Sequence, residues 1–183
     1  MLIAILALTL IFSATPFPNP GIEFNLLPVY LVAVITAFAC HEIAHKLTAM
    51  RLNCLATFKL WPRGTLIGIL LMFTGIKFAS PGVVMIYPFR FGRWGFRYRH
   101  LTHVEEGLIA LAGPLTNLIF ATLFSIIPGW PFHLLYLVNA WIYLFNMLPI
   151  PPLDGSKIIL WNVGIWTFFF ILSVILCLPI FLG

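Results

Sequence analysis

The residues best suited to chemistry lie together in Phe38–His45, where three ionisable side chains interrupt an apolar run. On a helix, His41 and His45 are four residues apart and therefore lie one above the other on one face. Two imidazoles arranged in this way can hold one zinc ion, and Glu42 lies next to the first, where it can take a proton from water. This H-E-x-x-H spacing predicts a hydrolytic metal site.

A chance match is the alternative interpretation of so short a motif. The surrounding residues argue against it, because the chain is almost wholly apolar from Leu26 to Ala44. A charge placed centrally in a membrane helix costs about 2.5–3.5 kcal/mol on insertion scales. Ionisable groups this costly, facing one another, are by default a functional site, so we favour the metal site.

The composition is that of an integral membrane protein. Of 183 residues, 62% are hydrophobic and only 8% are charged, whereas soluble domains contain about 25% charged residues. The length allows one domain, residues 1–183. Three scattered cysteines do not suggest a disulfide framework. The net charge of +5 comes from loop residues, so it indicates topology and no nucleic-acid partner.

The expected fold class is membrane all-α, a polytopic bundle of about five transmembrane helices with a small re-entrant β-hairpin. The expected spans are Met1–Ala14, about Asn25–Met50, about Val104–Ile127, Phe132 to about Leu148, and Ile158–Phe181. Met1–Ala14 resembles a signal-peptide core but lacks a basic n-region, which favours a membrane helix. The second span ends at Lys46 and Arg51, which places that end, and the metal site near it, toward the cytoplasmic face of the cell membrane.

The region after the second span is less regular. Ala56–Arg63 alternates apolar and polar residues and predicts a strand, and Gly75–Ile86 predicts strands around the turn Ser80-Pro81-Gly82. Basic residues flank Gly64–Ile86 on both sides. A single crossing would place four arginines outside, against the positive-inside rule, so this segment is expected to enter the membrane and return. The following segment, Tyr87–His103, is basic and aromatic and is expected at the membrane surface.

A carboxylate further along the chain is the natural third ligand. Asn146–Gly155 contains three prolines in four residues, which remove backbone donors and force an extended path. Such a path can aim Asp154 sideways, and catalytic zinc usually takes three protein ligands. The alternative is that Asp154 caps the helix that follows it.

Three motifs in this order resemble those of the site-2 proteases, a family of intramembrane zinc metalloproteases. They are H-E-x-x-H at His41–His45, G-x-x-x-N at Gly113–Asn117 and N-x-x-P-x-P-x-L-D-G at Asn146–Gly155. The resemblance covers roughly Val29–Lys157, the expected core at about 29–157. The chain is similar to a short prokaryotic form, without room for a PDZ or CBS domain.

The resemblance implies a role for each motif residue. His41, His45 and Asp154 would bind one Zn²⁺, and Glu42 would act as general base and then as acid. Asn117 would help to hold the substrate strand or the developing oxyanion, and Asn146 is a further candidate for substrate binding. The strands around Phe58 and around Phe78–Ile86 resemble the family's re-entrant hairpin, which presents an edge to an unwound substrate.

The expected function is hydrolysis of peptide bonds in or near transmembrane segments of membrane-protein substrates. The expected partners are these substrates and the lipid bilayer. A catalytically silent scaffold that binds transmembrane partners in the same groove is the main alternative. A metal transporter would need polar residues along several spans, and a second metal site at His100 and His103 is a weaker hypothesis.

Overall fold

The computed structural model describes residues 1–75, 77, 81–92, 95–98 and 100–182. Helices dominate this part of the chain, as predicted for the fold class. They are α1 (Leu2–Ser13), α2 (Leu27–Val34), α3 (Cys40–Arg51), α4 (Pro62–Leu71), α5 (His103–Ser125), α6 (Trp130–Met147), α7 (Asp154–Trp161) and α8 (Val163–Leu182). A π-helical turn, Ile35–Ala39, joins α2 directly to α3.

The strands are short and form three antiparallel pairs within the described residues. They are β1 (Ala14–Thr15), β2 (Gly21–Ile22), β3 (Leu55–Leu60), β4 (Gly82–Tyr87), β5 (Phe89–Gly92) and β6 (Gly95–Tyr98). The longest pair joins β3 to β4, with Leu55 opposite Tyr87 and Leu60 opposite Gly82. These are the strands predicted around Phe58 and toward Ile86. The part of that prediction on residues 76 and 78–80 lies outside the described residues.

Three helices in the described part of the chain are long and apolar enough to cross a membrane: Phe24–Arg51, His103–Ser125 and Val163–Ile180. The other two predicted spans form α1 and α6. With 12 residues, α1 extends about 18 Å, which is less than the roughly 30 Å of a bilayer core. The molecule is therefore a mostly helical bundle with three candidate spans, and Leu2–Ser13 and Pro62–Thr74 are shorter apolar helices.

The last apolar segment is two helices, whereas one span starting at Ile158 was predicted. Asn162 has extended backbone between α7 and α8, with φ −156° and ψ 112°. Its Oδ1 accepts a hydrogen bond from the Ile165 N–H at 2.9 Å, the contact that a helix N-cap makes. The cap starts a new helix, so the candidate span begins at Val163.

The segment between β3 and β4 leaves the sheet and comes back to it. The predicted strand Ala56–Arg63 ends at Leu60, since Pro62 is well suited to the first turn of a helix and begins α4. Beyond α4, Phe73 O accepts from the Phe17 N–H at 3.0 Å, just past the end of α1. The chain then returns, because Trp61 N–H donates to Pro81 O at 2.8 Å.

Helix α5 occupies the middle of the bundle and packs against α3, α6 and α7. Its start is defined by a capping box, in which Thr102 Oγ1 accepts from the Glu105 N–H at 3.2 Å and Glu105 Oε2 accepts from the Thr102 N–H at 3.0 Å. Ile109 and Asn117 are buried eight residues apart on the same face of α5. That face is turned toward α3, which carries the two histidines.

Candidate metal centre

His41 and His45 lie one turn apart on α3, and their side chains are in contact. Their Nε2 atoms are 2.9 Å apart, and the rings meet edge to face with centroids 4.5 Å apart. Both residues are buried, at 2% and 6% exposure. The predicted i, i+4 pair is therefore present in a geometry that lets both nitrogens reach one ion.

Asp154 reaches the same point from the other side of the site. Its Oδ2 lies 3.2 Å from His41 Nε2 and 3.1 Å from His45 Nε2. The alternative, that Asp154 caps α7, does not describe this structure: Leu153 is the N-cap, and no side-chain capping bond is formed there. The carboxylate is aimed at the histidines.

The Pro-rich connection places Asp154 by packing against the end of α6. A Cβ added at Gly155 would overlap the carbonyl oxygens of Met147 and Leu148. Only glycine therefore allows the start of α7 to lie this close to the last turn of α6. This contact explains why a glycine directly follows the ligand.

Each histidine is oriented by a buried acceptor on α5. His45 Nδ1 lies 2.7 Å from Ile109 O, and His41 Nδ1 lies 2.6 Å from Asn117 Oδ1. Carbonyl oxygens only accept, so both Nδ1 atoms carry the proton and donate it. In the neutral ring, Nε2 then carries a lone pair directed toward Asp154, the tautomer that a metal-binding histidine needs.

This convergence of electron pairs fits a metal ion. Two Nε2 atoms and one carboxylate oxygen meet within 2.9–3.2 Å of one another, and in neutral rings with the proton on Nδ1 both Nε2 lone pairs are available to an ion. Ligands at 2.0–2.2 Å from a tetrahedral zinc ion are about 3.3–3.6 Å apart, slightly more than these separations. His41, His45 and Asp154 form the one such group of side chains that could hold a metal ion in the described part of the chain, and the group is consistent with one zinc site.

Gly113 provides the space that the two imidazoles occupy. A Cβ at this position would overlap Nε2 of both His41 and His45. Gly113 lies on α5 between Ile109 and Asn117, so the same helix face both orients the rings and leaves room for them. The first residue of the G-x-x-x-N motif thus has a steric function here.

Glu42 and a cavity complete the centre. The cavity has a volume of about 420 Å³ and is bordered by the two histidines, Asp154 and strand β4. Glu42 lines it, is 7% exposed, and has a buried Oε2 without a hydrogen-bond partner among the described residues. An unpaired buried carboxylate oxygen is costly, and this one lies beside a space that can hold water and substrate.

The two asparagines occupy different places. Asn146 lines the cavity, and its Nδ2 donates to Ile142 O at 3.0 Å. Asn117 is fully buried behind His41. Its Oδ1 faces His41 Nδ1 and its Nδ2 donates to Ala37 O, and its role in binding substrate stays a prediction.

Two charged residues at this centre were not predicted. Lys157 lines the cavity, and its Nζ lies 4.0 Å from Asp154 Oδ1, one turn along α7. Glu106 lines the cavity near the start of α5, where its Oε2 lies 4.0 Å from His103 Nδ1. Spacing alone offered a signal only for Lys157, three residues after the ligand.

Known proteins place the chain among metalloproteases. A protein of Methanocaldococcus jannaschii named "Putative zinc metalloprotease MJ0611" is 37% identical over 174 residues, which cover 90% of this chain and 83% of that protein. A protein of Bacillus subtilis named "Putative zinc metalloprotease YwhC" is 30% identical over 164 residues, covering 74% of this chain and 69% of that protein. No protein-family profile and no solved structure matches the chain.

The extent of these matches and the zinc site lead to the same assignment. The aligned part of the first relative spans nearly all of this chain, including the length that carries the three motifs. The chain belongs to the family of zinc metalloproteases to which these two proteins belong, the site-2 protease-like family that its motifs resemble.

Proposed function

We propose that this protein is an intramembrane metalloprotease that hydrolyses peptide bonds in or near transmembrane segments of membrane proteins. The observation that carries the proposal is the buried Glu42 carboxylate, whose Oε2 has no hydrogen-bond partner among the described residues, in the same cavity as the His41, His45 and Asp154 cluster. A carboxylate beside three converging metal ligands is the arrangement of a zinc hydrolase. The apolar helices around the cavity support a substrate that arrives within the membrane.

Glu42 is the general base of the proposed reaction. A bound zinc ion supplies Lewis-acid activation of water and of the scissile carbonyl. Glu42 Oε2 takes the proton of the attacking water and later delivers it to the leaving amine, so a single carboxylate serves both half-reactions. Asn146 borders the same cavity, and its amide is the proposed donor to a substrate carbonyl.

Strand β4 is the proposed docking edge for the substrate. One edge of β4 pairs with β3, and residues along β4 border the cavity. A transmembrane helix hides its carbonyls in its own hydrogen bonds, so it must unwind before water can attack. Adding the unwound segment as a strand beside β4 would satisfy the freed backbone groups.

The proposed topology has about five spans in the cell membrane, with the site nearer the cytoplasmic face. Lys46 and Arg51 near the end of α3 support this orientation through the positive-inside rule. The path between β3 and β4, which returns to its starting point at Trp61 and Pro81, supports a re-entrant segment. Lipid and transmembrane substrates are the proposed partners.

The decisive experiment compares Glu42→Gln with Glu106→Gln in purified protein, using a helical membrane-protein substrate. Glu42→Gln keeps size and polarity but cannot accept the proton, so we expect cleavage to fall by at least about a hundredfold. Bound zinc should remain at the wild-type level, because Glu42 is not a ligand. Cleavage by the Glu42→Gln protein, with loss only in Glu106→Gln, would assign the base to Glu106. Zinc binding without any cleavage by the wild type would favour a silent scaffold.

A further inference from the structure

Asn139 is a fully buried polar residue in the middle of α6 and lies outside the three motifs. Its Nδ2 donates to Leu135 O at 2.9 Å and to Thr36 Oγ1 at 3.1 Å. Leu135 O can only accept, which defines the orientation of the Asn139 amide. The Oδ1 of Asn139 therefore faces α5, where it lies 3.4 Å from Asn117 Nδ2.

Asn117 is held in one orientation by two acceptors. Its Nδ2 donates to Ala37 O at 2.7 Å and approaches Asn139 Oδ1. Ala37 belongs to the π-helical turn that precedes α3. With both N–H groups directed at these oxygens, Asn117 Oδ1 must face His41 Nδ1, at 2.6 Å.

The orientation of Asn117 decides which nitrogen of His41 is free. With Oδ1 toward the ring, His41 Nδ1 donates and Nε2 keeps its lone pair. If the Asn117 amide rotated by half a turn, its Nδ2 would face His41 Nδ1, which would then have to accept. The ring proton would move to Nε2, at the position where the metal must bind.

We propose that Asn139 is a positioning residue of the zinc site, which keeps His41 in its metal-binding tautomer by holding the Asn117 amide in one orientation. Without Asn139, one N–H of Asn117 loses its acceptor in a buried place, where an unsatisfied donor is unfavourable. The amide is then held by Ala37 O alone, so its orientation toward His41 is less strongly fixed. The inference rests on the metal site of the proposed function, but it concerns zinc affinity and not the chemical step.

The test measures the zinc Kd of the full-length protein by chelator competition, together with the visible spectrum of the Co²⁺-loaded protein. Asn139→Leu keeps the approximate size and removes both hydrogen-bonding groups. We expect the zinc Kd to rise about tenfold, at the lower end of the effect of outer-shell changes, and the Co²⁺ bands to shift. Tyr143→Phe is the matched control: it removes a buried hydrogen bond one turn further along α6, to Phe169 O, and should leave both readouts unchanged.

A double-mutant cycle separates positioning from general destabilisation. If Asn139 acts through Asn117, adding Asn139→Leu to Asn117→Ala should not raise the zinc Kd further. Fully additive effects, or an unchanged Kd in Asn139→Leu, would overturn the inference. Absence of zinc from the wild-type protein would instead overturn the metal site itself. If Asn139→Leu does not fold, Thr36→Val removes one acceptor of Asn139 Nδ2, and an unchanged Kd in that variant would also overturn the inference.

Discussion

At the scale of single residues, each ligand of the metal site is held by something other than the metal. His45 donates to Ile109 O and His41 to Asn117 Oδ1, while Gly155 allows Asp154 to approach. Such outer contacts fix tautomer and direction before an ion arrives. The site is therefore preorganised, and loss of one ligand should not be repaired by its neighbours.

The first prediction concerns the ligands. Changing Asp154 to Ala removes one of three donors, so we expect bound zinc in the purified protein to fall below about one tenth of the wild-type amount. The same is expected of His41→Ala. His133→Ala serves as the control, because His133 is an exposed histidine at the start of α6. Equal zinc in wild type and Asp154→Ala, measured by atomic absorption, would remove the aspartate from the site.

The second prediction concerns Gly113. Replacing glycine by alanine inside a helix usually stabilises it by about 0.5–1 kcal/mol. Here the new methyl group would overlap Nε2 of both histidines, so Gly113→Ala should lose zinc. Gly107→Ala is the comparison on the same helix, because its methyl group would meet only Trp161. It should lower thermal stability and retain more zinc than Gly113→Ala; the reverse order would contradict the steric role of Gly113.

At the scale of elements, a lysine in the segment between β3 and β4 joins that segment to the end of α1. Lys77 Nζ donates to Ile11 O at 3.0 Å and also to Ala14 O and Met72 O. A cation at these carbonyls satisfies groups that the end of a helix leaves open.

The third prediction follows from this contact. Lys77→Met keeps the length of the side chain but leaves the carbonyls of Ile11 and Ala14 without their donor. We expect the free energy of unfolding to fall by about 2 kcal/mol, the cost of unsatisfied buried acceptors. Lys59→Met, at an exposed position on β3, should change it little. Equal melting temperatures for the two variants in one detergent would show that the Lys77 contacts do not fasten the segment.

The elements also show how far the sequence could be interpreted. Periodicity and motif order predicted the histidine pair, the aspartate and strand β3, since each depends on neighbours in sequence. They did not predict that α4 would begin at Pro62 or that Asn162 would start a new helix. The reason is that an apolar pattern does not indicate where one helix ends and the next begins. The buried link from His41 through Asn117 to Asn139 joins three helices, and contacts of this kind are set by packing.

At the scale of the whole molecule, the described helices leave much apolar surface exposed, including Leu66 and Leu70 on α4 and Phe168 on α8. In water such a surface would aggregate, whereas lipid covers it without cost. The candidate span in α8 has only 11% of its residues buried inside the protein. This exposed apolar surface is suited to contact with lipid. The orientation of the bundle in a membrane can be measured.

The fourth prediction concerns that orientation. In a background without Cys40, Cys54 and Cys177, single cysteines at Arg63 and His100 should react with an impermeant reagent only from the cytoplasmic side. Both positions are exposed and flank the returning segment. A cysteine at Phe17, also exposed, should react only from outside. Reaction of the His100 position from outside would mean that the segment crosses the membrane once.

The distance along the chain between the ligands has a further consequence. His41 and Asp154 are 113 residues apart in sequence, so the ion acts as a removable crosslink that closes a very large loop. A ligand that binds only the folded state, at a hundred times its Kd, stabilises that state by about 2.7 kcal/mol. Stripping the metal with a chelator should therefore lower the melting temperature of the wild type but not of Asp154→Ala. In a cell, the supply of zinc would then determine the lifetime of the folded protein as well as its proteolytic activity.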